Sequence, residues 1–217
     1  MFAFSDLRLA TYCPRKLYYT RQGDREPPDE VTEVRALAFR YPELLDAGDA
    51  ELRGLPIDLP PARYRDQLRR TREHTDRFDD LCDPAERDAF LSGKACRGIA
   101  HKVLQGPPEP SLVSPGTPPK NGVWEPHAVW AVAAAKALAW EGEQPVARAF
   151  VEYPKVGVVR AVRMTGGRKA AFQRAKRTLE AIDGPPPRLR DSPKCESCEY
   201  ASECGVKTRS LRSLLGL

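Results

Sequence analysis

Lys194-Cys-Glu-Ser-Cys-Glu-Tyr-Ala-Ser-Glu-Cys-Gly205 is the stretch on which the reading of this chain turns. Cys195, Cys198 and Cys204 stand at C-x2-C-x5-C spacing, so three thiols can converge on one point. Three thiolates leave a tetrahedral metal or an iron–sulfur cube one ligand short. Cys13, Cys82 and Cys96 are the other cysteines. Cys13 lies in Thr11-Tyr-Cys-Pro-Arg-Lys-Leu-Tyr-Tyr19, at the opposite end, and is the expected fourth ligand. Cys96 is its weaker rival, and Cys82 reads as an ordinary small hydrophobe.

Four readings of the cysteines compete: a disulfide pair, zinc, a [4Fe-4S] cluster and accidental spacing. The N-terminus Met1-Phe-Ala-Phe-Ser-Asp-Leu7 lacks a signal-peptide pattern, so a cytoplasmic location is expected, where thiols stay reduced. Structural zinc sites pair two short cysteine knuckles, and only one exists here. A local group of three with one remote cysteine suits an iron–sulfur cluster better. Joining Cys13 to Cys195 closes a loop of roughly 180 residues, at an entropic cost of about 5 kcal/mol. Metal ligation exceeds that, so the cluster is expected to be a structural staple.

The 217 residues suit a single domain, and the 41% hydrophobic content supports a core of ordinary size. No run of about 18 apolar residues exists, so no membrane span is expected. Charge is divided unevenly. Residues 150–217 carry 14 Lys/Arg against 7 Asp/Glu, whereas residues 1–149 carry 21 against 23. A basic C-terminal part fits a nucleic-acid partner, or simply a solvated basic helix.

Periodicity sets out the elements. Helix is expected from Phe4 to Arg21, with Ser5 as N-cap and a break at Cys13-Pro14. Further helices are expected over Thr32–Leu45 and Ala62–Leu81, with a helical turn at Arg87–Ser92. Strands follow at Gly98–Leu104 and Ser111–Ser114, then a buried alanine-rich helix at Val129–Trp140. Val146–Tyr153 and Val156–Met164 form a hairpin, Thr165 caps a basic helix to Ile182, and Leu211–Leu217 is apolar enough to dock. Arg15, Lys16 and Tyr18, with Arg168, Arg174 and Arg177 on the last helix, are the candidate DNA contacts. Tyr18 and Tyr19 have packing under the cysteines as their competing use.

Tyr-Cys-Pro-Arg-Lys-Leu-Tyr-Tyr near the start and C-x2-C-x5-C near the end resemble the CRISPR-associated RecB-like nucleases of the Cas-four type. The resemblance implies an α/β fold with a PD-(D/E)XK core, a small mixed sheet flanked by helices, at about residues 95–183. It implies an iron–sulfur lobe from about 1–22 and 188–217, with Cys13, Cys195, Cys198 and Cys204 holding a [4Fe-4S] cluster. DNA, and proteins of CRISPR adaptation or of repair, are the implied partners.

The middle departs from that pattern. The family's centre places an aspartate on one strand and Glu/Asp-x-Lys on the next, to hold Mg2+ or Mn2+ and activate water. Here His101 stands in the aspartate's place, and Ser111-Leu-Val-Ser-Pro-Gly-Thr-Pro-Pro-Lys120 contains no acid. Glu152-x-x-Lys155 has the wrong spacing for one strand face. Asp79, Asp80, Asp83, Glu86 and Asp88 form an acidic patch that reads as surface. His101 and His74 remain the weak catalytic candidates. His101 has a packed strand histidine as its competing reading, and His74 a solvated helix residue. The expectation is a DNA-binding iron–sulfur protein with a decayed nuclease centre. An active exonuclease with relocated ligands and a zinc-bound scaffold stand as alternatives.

Overall fold

The computed structural model describes residues 1–23, 29–189 and 193–205. Six strands form one mixed sheet, flanked by helices. In chain order the strands are β1 (Phe2–Ala3), β2 (Glu86–Ser92), β3 (Cys96–Val103), β4 (Pro110–Val113), β5 (Arg148–Tyr153) and β6 (Val158–Arg163). The helices are α1 (Phe4–Tyr12), α2 (Pro14–Thr20), α3 (Asp29–Leu37), α4 (Tyr41–Asp46), α5 (Asp49–Arg53), α6 (Pro61–His74), α7 (Phe78–Cys82), α8 (Glu125–Glu141) and α9 (Gly166–Glu180).

β3 organises the sheet. β2 runs antiparallel along one edge of it, from Glu86 opposite Val103 to Ser92 opposite Arg97. The other edge is shared. β1 pairs with Cys96 and Arg97, and β4 pairs only with Lys102 and Val103. Between them, residues 98–101 have no strand partner on that edge. β4 then runs parallel to β5, and β5 pairs antiparallel with β6 along its whole length.

Two apolar clusters cover the sheet. One gathers Phe4 and Leu7 of α1, the alanine-rich face of α8, and Phe172, Ala175 and Leu179 of α9. The other gathers Tyr41, Leu44, Tyr64, Leu68, Phe78 and Leu81 from α4, α6 and α7. β5 serves both by alternation: Ala149, Val151 and Tyr153 join the first, Phe150 the second. α8 is apolar almost all round because it is wrapped by α1, α9 and the sheet.

Most expected elements are present, with several corrections. Arg87–Ser92 is strand β2, not a helical turn; its Ala89 and Leu91 are buried and it lies flat on β3. The core therefore begins near residue 86, ahead of the expected 95. Ser5 lies inside α1, and the N-cap is Ala3, which offers no side-chain acceptor. The expected 32–45 helix is broken between α3 and α4, and the 62–81 helix between α6 and α7. Tyr41-Pro42 explains the first break, since proline at the second position starts a new helix. Thr165 does cap α9, accepting the Arg168 N–H at 3.5 Å. The expected docking of Leu211–Leu217 falls outside the described residues.

A polar pin crosses the middle of the sheet. Lys102 of β3 and Glu152 of β5 are both 0% exposed and pair at 2.9 Å. Lys102 Nζ also donates to the Ala38 carbonyl at 2.6 Å, and Ser111 Oγ of β4 donates to Glu152 Oε1 at 2.6 Å. The rings of Phe39 and Tyr41 lie 4.9 and 5.2 Å from the ammonium. Removing one member of such a pair strands a buried charge, at about 3–5 kcal/mol. Glu152→Gln is therefore expected to lower the urea midpoint by that amount, with Lys102→Met/Glu152→Leu recovering most of it. A loss below about 1 kcal/mol for Glu152→Gln alone would contradict the role of the pin.

Candidate functional site

Two sites emerge from the described residues. The first lies where the chain ends meet. Cys13, Cys195, Cys198 and Cys204 line one pocket, together with Tyr12, Arg15, Lys16, Tyr19, Lys194 and Tyr200. The fold thus brings together the four cysteines singled out in the sequence. Cys96 is buried elsewhere, with its thiol directed at the Ala133 carbonyl.

Local geometry explains the convergence. Cys13 sits between α1 and α2 in an extended conformation, with Pro14 opening α2, and its sulfur accepts the Lys16 N–H at 3.4 Å. The C-terminal segment winds in tight turns, with Cys198 N–H donating to the Cys195 carbonyl and Cys204 N–H to the Tyr200 carbonyl. Tyr200 stacks on Tyr19 at 5.8 Å, and Tyr19 Oη donates to the Glu203 carbonyl at 3.2 Å. Lys194 Nζ donates to the Tyr12 carbonyl, and Lys16 pairs with Glu199 at 3.2 Å. Arg15 Nη1 donates to the Pro186 carbonyl at 2.7 Å, yet its buried Nε has no partner.

Burial pushes the Cys195 thiol above its ordinary range, and the neighbouring Cys13, Cys204 and Cys198 push the same way. Ligation therefore has to release a proton from a reluctant thiol. The cavity is about 20 Å³, room for about one water. No group of three or more His, Cys, Asp or Glu among the described residues is arranged to hold a metal ion.

The second site is the notch left between β1 and β4 along β3. A cavity of about 470 Å³ opens there, lined by Phe4, Ser5 and Arg8 of α1, Arg35 of α3, His101 of β3 and Trp130 of α8, among others. His101 is buried, and its Nδ1 accepts the Val113 N–H at 2.8 Å. That bond takes the place of a ladder bond where β4 leaves β3. It leaves Nε2 as the protonated nitrogen, so the ring is a donor there and not a metal ligand. The ring also meets Trp130 edge-on at 5.7 Å. Burial, then the charges of Arg35, Arg8 and Lys102, lowers its pKa to about 3.

His74 belongs to neither place. It is exposed at the end of α6, with Nδ1 2.7 Å from the Arg70 carbonyl. Glu152 and Lys155 are not partners either: Glu152 takes Lys102, and Lys155 takes Glu30 and Asp58. In the acidic patch Asp80 pairs with Arg77, and none of those acids lines the cavity at His101.

The expected DNA contacts divide. Arg15 and Lys16 are engaged within the cysteine lobe, while Tyr18 packs edge-on to Tyr19. Arg168 donates to the Arg163 carbonyl and Arg174 pairs with Glu125 on the surface of α9, where Arg177 is exposed. Such exposed pairs are worth about 0–1 kcal/mol, so the helix keeps a basic face.

Four residues escaped the sequence reading: Arg8, Arg35, Lys102 and His127. His127 is partly buried, 2.8 Å from Tyr153 Oη, and burial lowers its pKa to about 4. No helix among the described residues is long and apolar enough to cross a membrane. The chain matches no protein-family model and no curated protein.

The buried His101 and the partly buried His127 both bind protons more weakly folded than unfolded. The unfolded chain therefore takes up protons first as pH falls below about 6.5, and stability is lost from there toward the folded values of about 3 and about 4. Between about pH 7 and 5.5 each contributes a loss of about 1 kcal/mol. Denaturant titrations should show this slope, and it should be shallower in His101→Asn. An identical slope in that variant would rule out a buried neutral His101.

Proposed function

We propose that the protein is an iron–sulfur DNA-associated protein of the Cas-four-like RecB type, with a PD-(D/E)XK-like core whose nuclease centre has lost its metal-binding acids. The observation that carries the reading is the single pocket lined by Cys13, Cys195, Cys198 and Cys204. Four cysteines from the two ends of the chain, three of them at C-x2-C-x5-C spacing, line that one pocket.

The donor set fits a [4Fe-4S] group better than one zinc ion. A cube binds each thiolate through a different iron, so its ligands stand farther apart than around a single ion. A local group of three cysteines with one remote fourth is the layout that supports a cluster over a single zinc ion. Lys16 and Lys194 lie along the same wall and offset the negative charge that four thiolates bring, and the orphaned Arg15 Nε–H lacks only an acceptor. The present cavity is narrow, so loading has to spread the lobe. The group supplies a cross-link between the chain ends. The chain's own tyrosine stack and lysine contacts hold the lobe in place around it.

Decay of the nuclease centre is supported by the residues at its expected place. His101 presents an N–H, Ser111 and Lys102 are consumed by Glu152, and no carboxylate among the described residues reaches the notch. DNA association is supported by the basic surface of α9 and the charge of residues 150–217. A role beside CRISPR adaptation or repair proteins belongs to the same reading and rests on the terminal motifs.

Protein prepared without oxygen is expected to be brown, to carry about four irons and to release them in Cys13→Ser with a lowered Tm. A colourless protein with one bound zinc would replace the cluster by a zinc scaffold. Duplex DNA binding should weaken steeply with salt, and Arg168→Gln/Arg174→Gln/Arg177→Gln should flatten the slope by about 2–3. Metal-dependent cleavage with Mn2+, abolished by His101→Ala, would establish an active exonuclease instead.

A further inference from the structure

The notch at β3 has a chemistry that neither a metal centre nor an apolar pocket explains. Its polar groups are Arg8, Arg35, His101 and Ser5, and no Asp or Glu is among its lining residues. Arg8 lies with its guanidinium 4.7 Å from the centre of the Trp130 ring. Its pKa is lowered by burial with no carboxylate to oppose the shift. Arg35 keeps a buried Nε with no hydrogen-bond partner. Two arginines beside a donor histidine, with no carboxylate lining the cavity among the described residues, leave an unfilled demand for an anion. Ala3, Phe4 and Ser5, at the N-terminus of the nine-residue α1, line the same cavity, and Ala3 gives that helix no side-chain cap.

We propose that this cavity is a phosphoryl-binding site, taking the phosphate group of a nucleotide or of a nucleic-acid strand end. Arg8 and Arg35 supply the fork-like donors that match phosphate oxygens, and the neutral His101 adds one N–H through Nε2. Trp130 holds Arg8 from behind, so that guanidinium is oriented before the ligand arrives. The volume of about 470 Å³ is within the range of about 300–1,000 Å³ of small-ligand pockets. A divalent cation is disfavoured there by the same two charges. The site stands apart from the cysteine lobe and does not depend on the cluster.

The test is calorimetric titration of the full chain with inorganic phosphate, a 5′-mononucleotide, and a short single strand with and without its 5′-phosphate. Saturable phosphate binding is expected, lost at least tenfold in both Arg8→Gln and Arg35→Gln, and kept in the surface variant Arg69→Gln. The lysine variants at 8 and 35 should retain more than the glutamines. A strand preferred about tenfold when 5′-phosphorylated, with that preference lost in both glutamine variants, identifies a strand end as the source. Phosphate and nucleotide binding without that preference identifies a free nucleotide and still supports the site. Melting curves separate loss of binding from loss of fold, and Arg35 on α3 is the less integral of the two. Absence of saturable binding by all four ligands, or binding unchanged in both glutamine variants, would overturn the proposal. The phosphate and mononucleotide arms require no DNA association, so failure of the DNA reading would be seen separately.

Discussion

A lysine and a glutamate without access to solvent tie three neighbouring strands together. Lys102 reaches from β3, Ser111 from β4 and Glu152 from β5, and the three meet within hydrogen-bond distance. Lys102 also donates to the Ala38 carbonyl. The pin fixes β4 against the last two residues of β3 and no farther. Beyond it β4 diverges, and the Val113 N–H turns to the His101 ring instead of a backbone carbonyl. The notch on which the second site depends is thus a consequence of where the pin stops. Its far side is set by close packing: a Cβ on Gly98 would come 2.6 Å from the Phe4 ring. Glycine there lets α1 lie directly on the strand.

Charge explains why this notch differs from a metal-dependent nuclease centre. Two carboxylates near each other demand a cation, whereas two arginines beside a histidine demand an anion. The buried carboxylate of the sheet, Glu152, is spent on Lys102. The lining of this cleft therefore favours an anion and opposes a divalent ion that would activate water.

The cysteine lobe stands on a different balance. Its contacts are a tyrosine stack, surface ion pairs and a few hydrogen bonds to carbonyl groups. These are worth about 1 kcal/mol or less each, against about 5 kcal/mol for closing the long loop. The group proposed for this pocket would turn such an arrangement into a durable junction. The body of the protein, with two apolar clusters and a pinned sheet, needs no such help.

The residues alone carried the local elements that have a strong period or a distinct cap: the all-apolar α8, the β5–β6 hairpin around Gly157, and α9 behind Thr165. They also singled out the four cysteines that line one pocket, because C-x2-C-x5-C is a short-range pattern. β2 was missed, since Glu86-Arg-Asp-Ala-Phe-Leu-Ser92 gains its strand character only from lying on β3. Long-range chemistry was equally out of view. Nothing in the order of residues says that Lys102 will meet Glu152, or that Arg8 and Arg35 will face His101, because each pair joins elements far apart in the chain. Pairing across a sheet and the absence of a counter-charge are properties of three-dimensional neighbourhoods. Spacing along the chain settles which side chains are available; only packing decides which of them are left with a charge to satisfy.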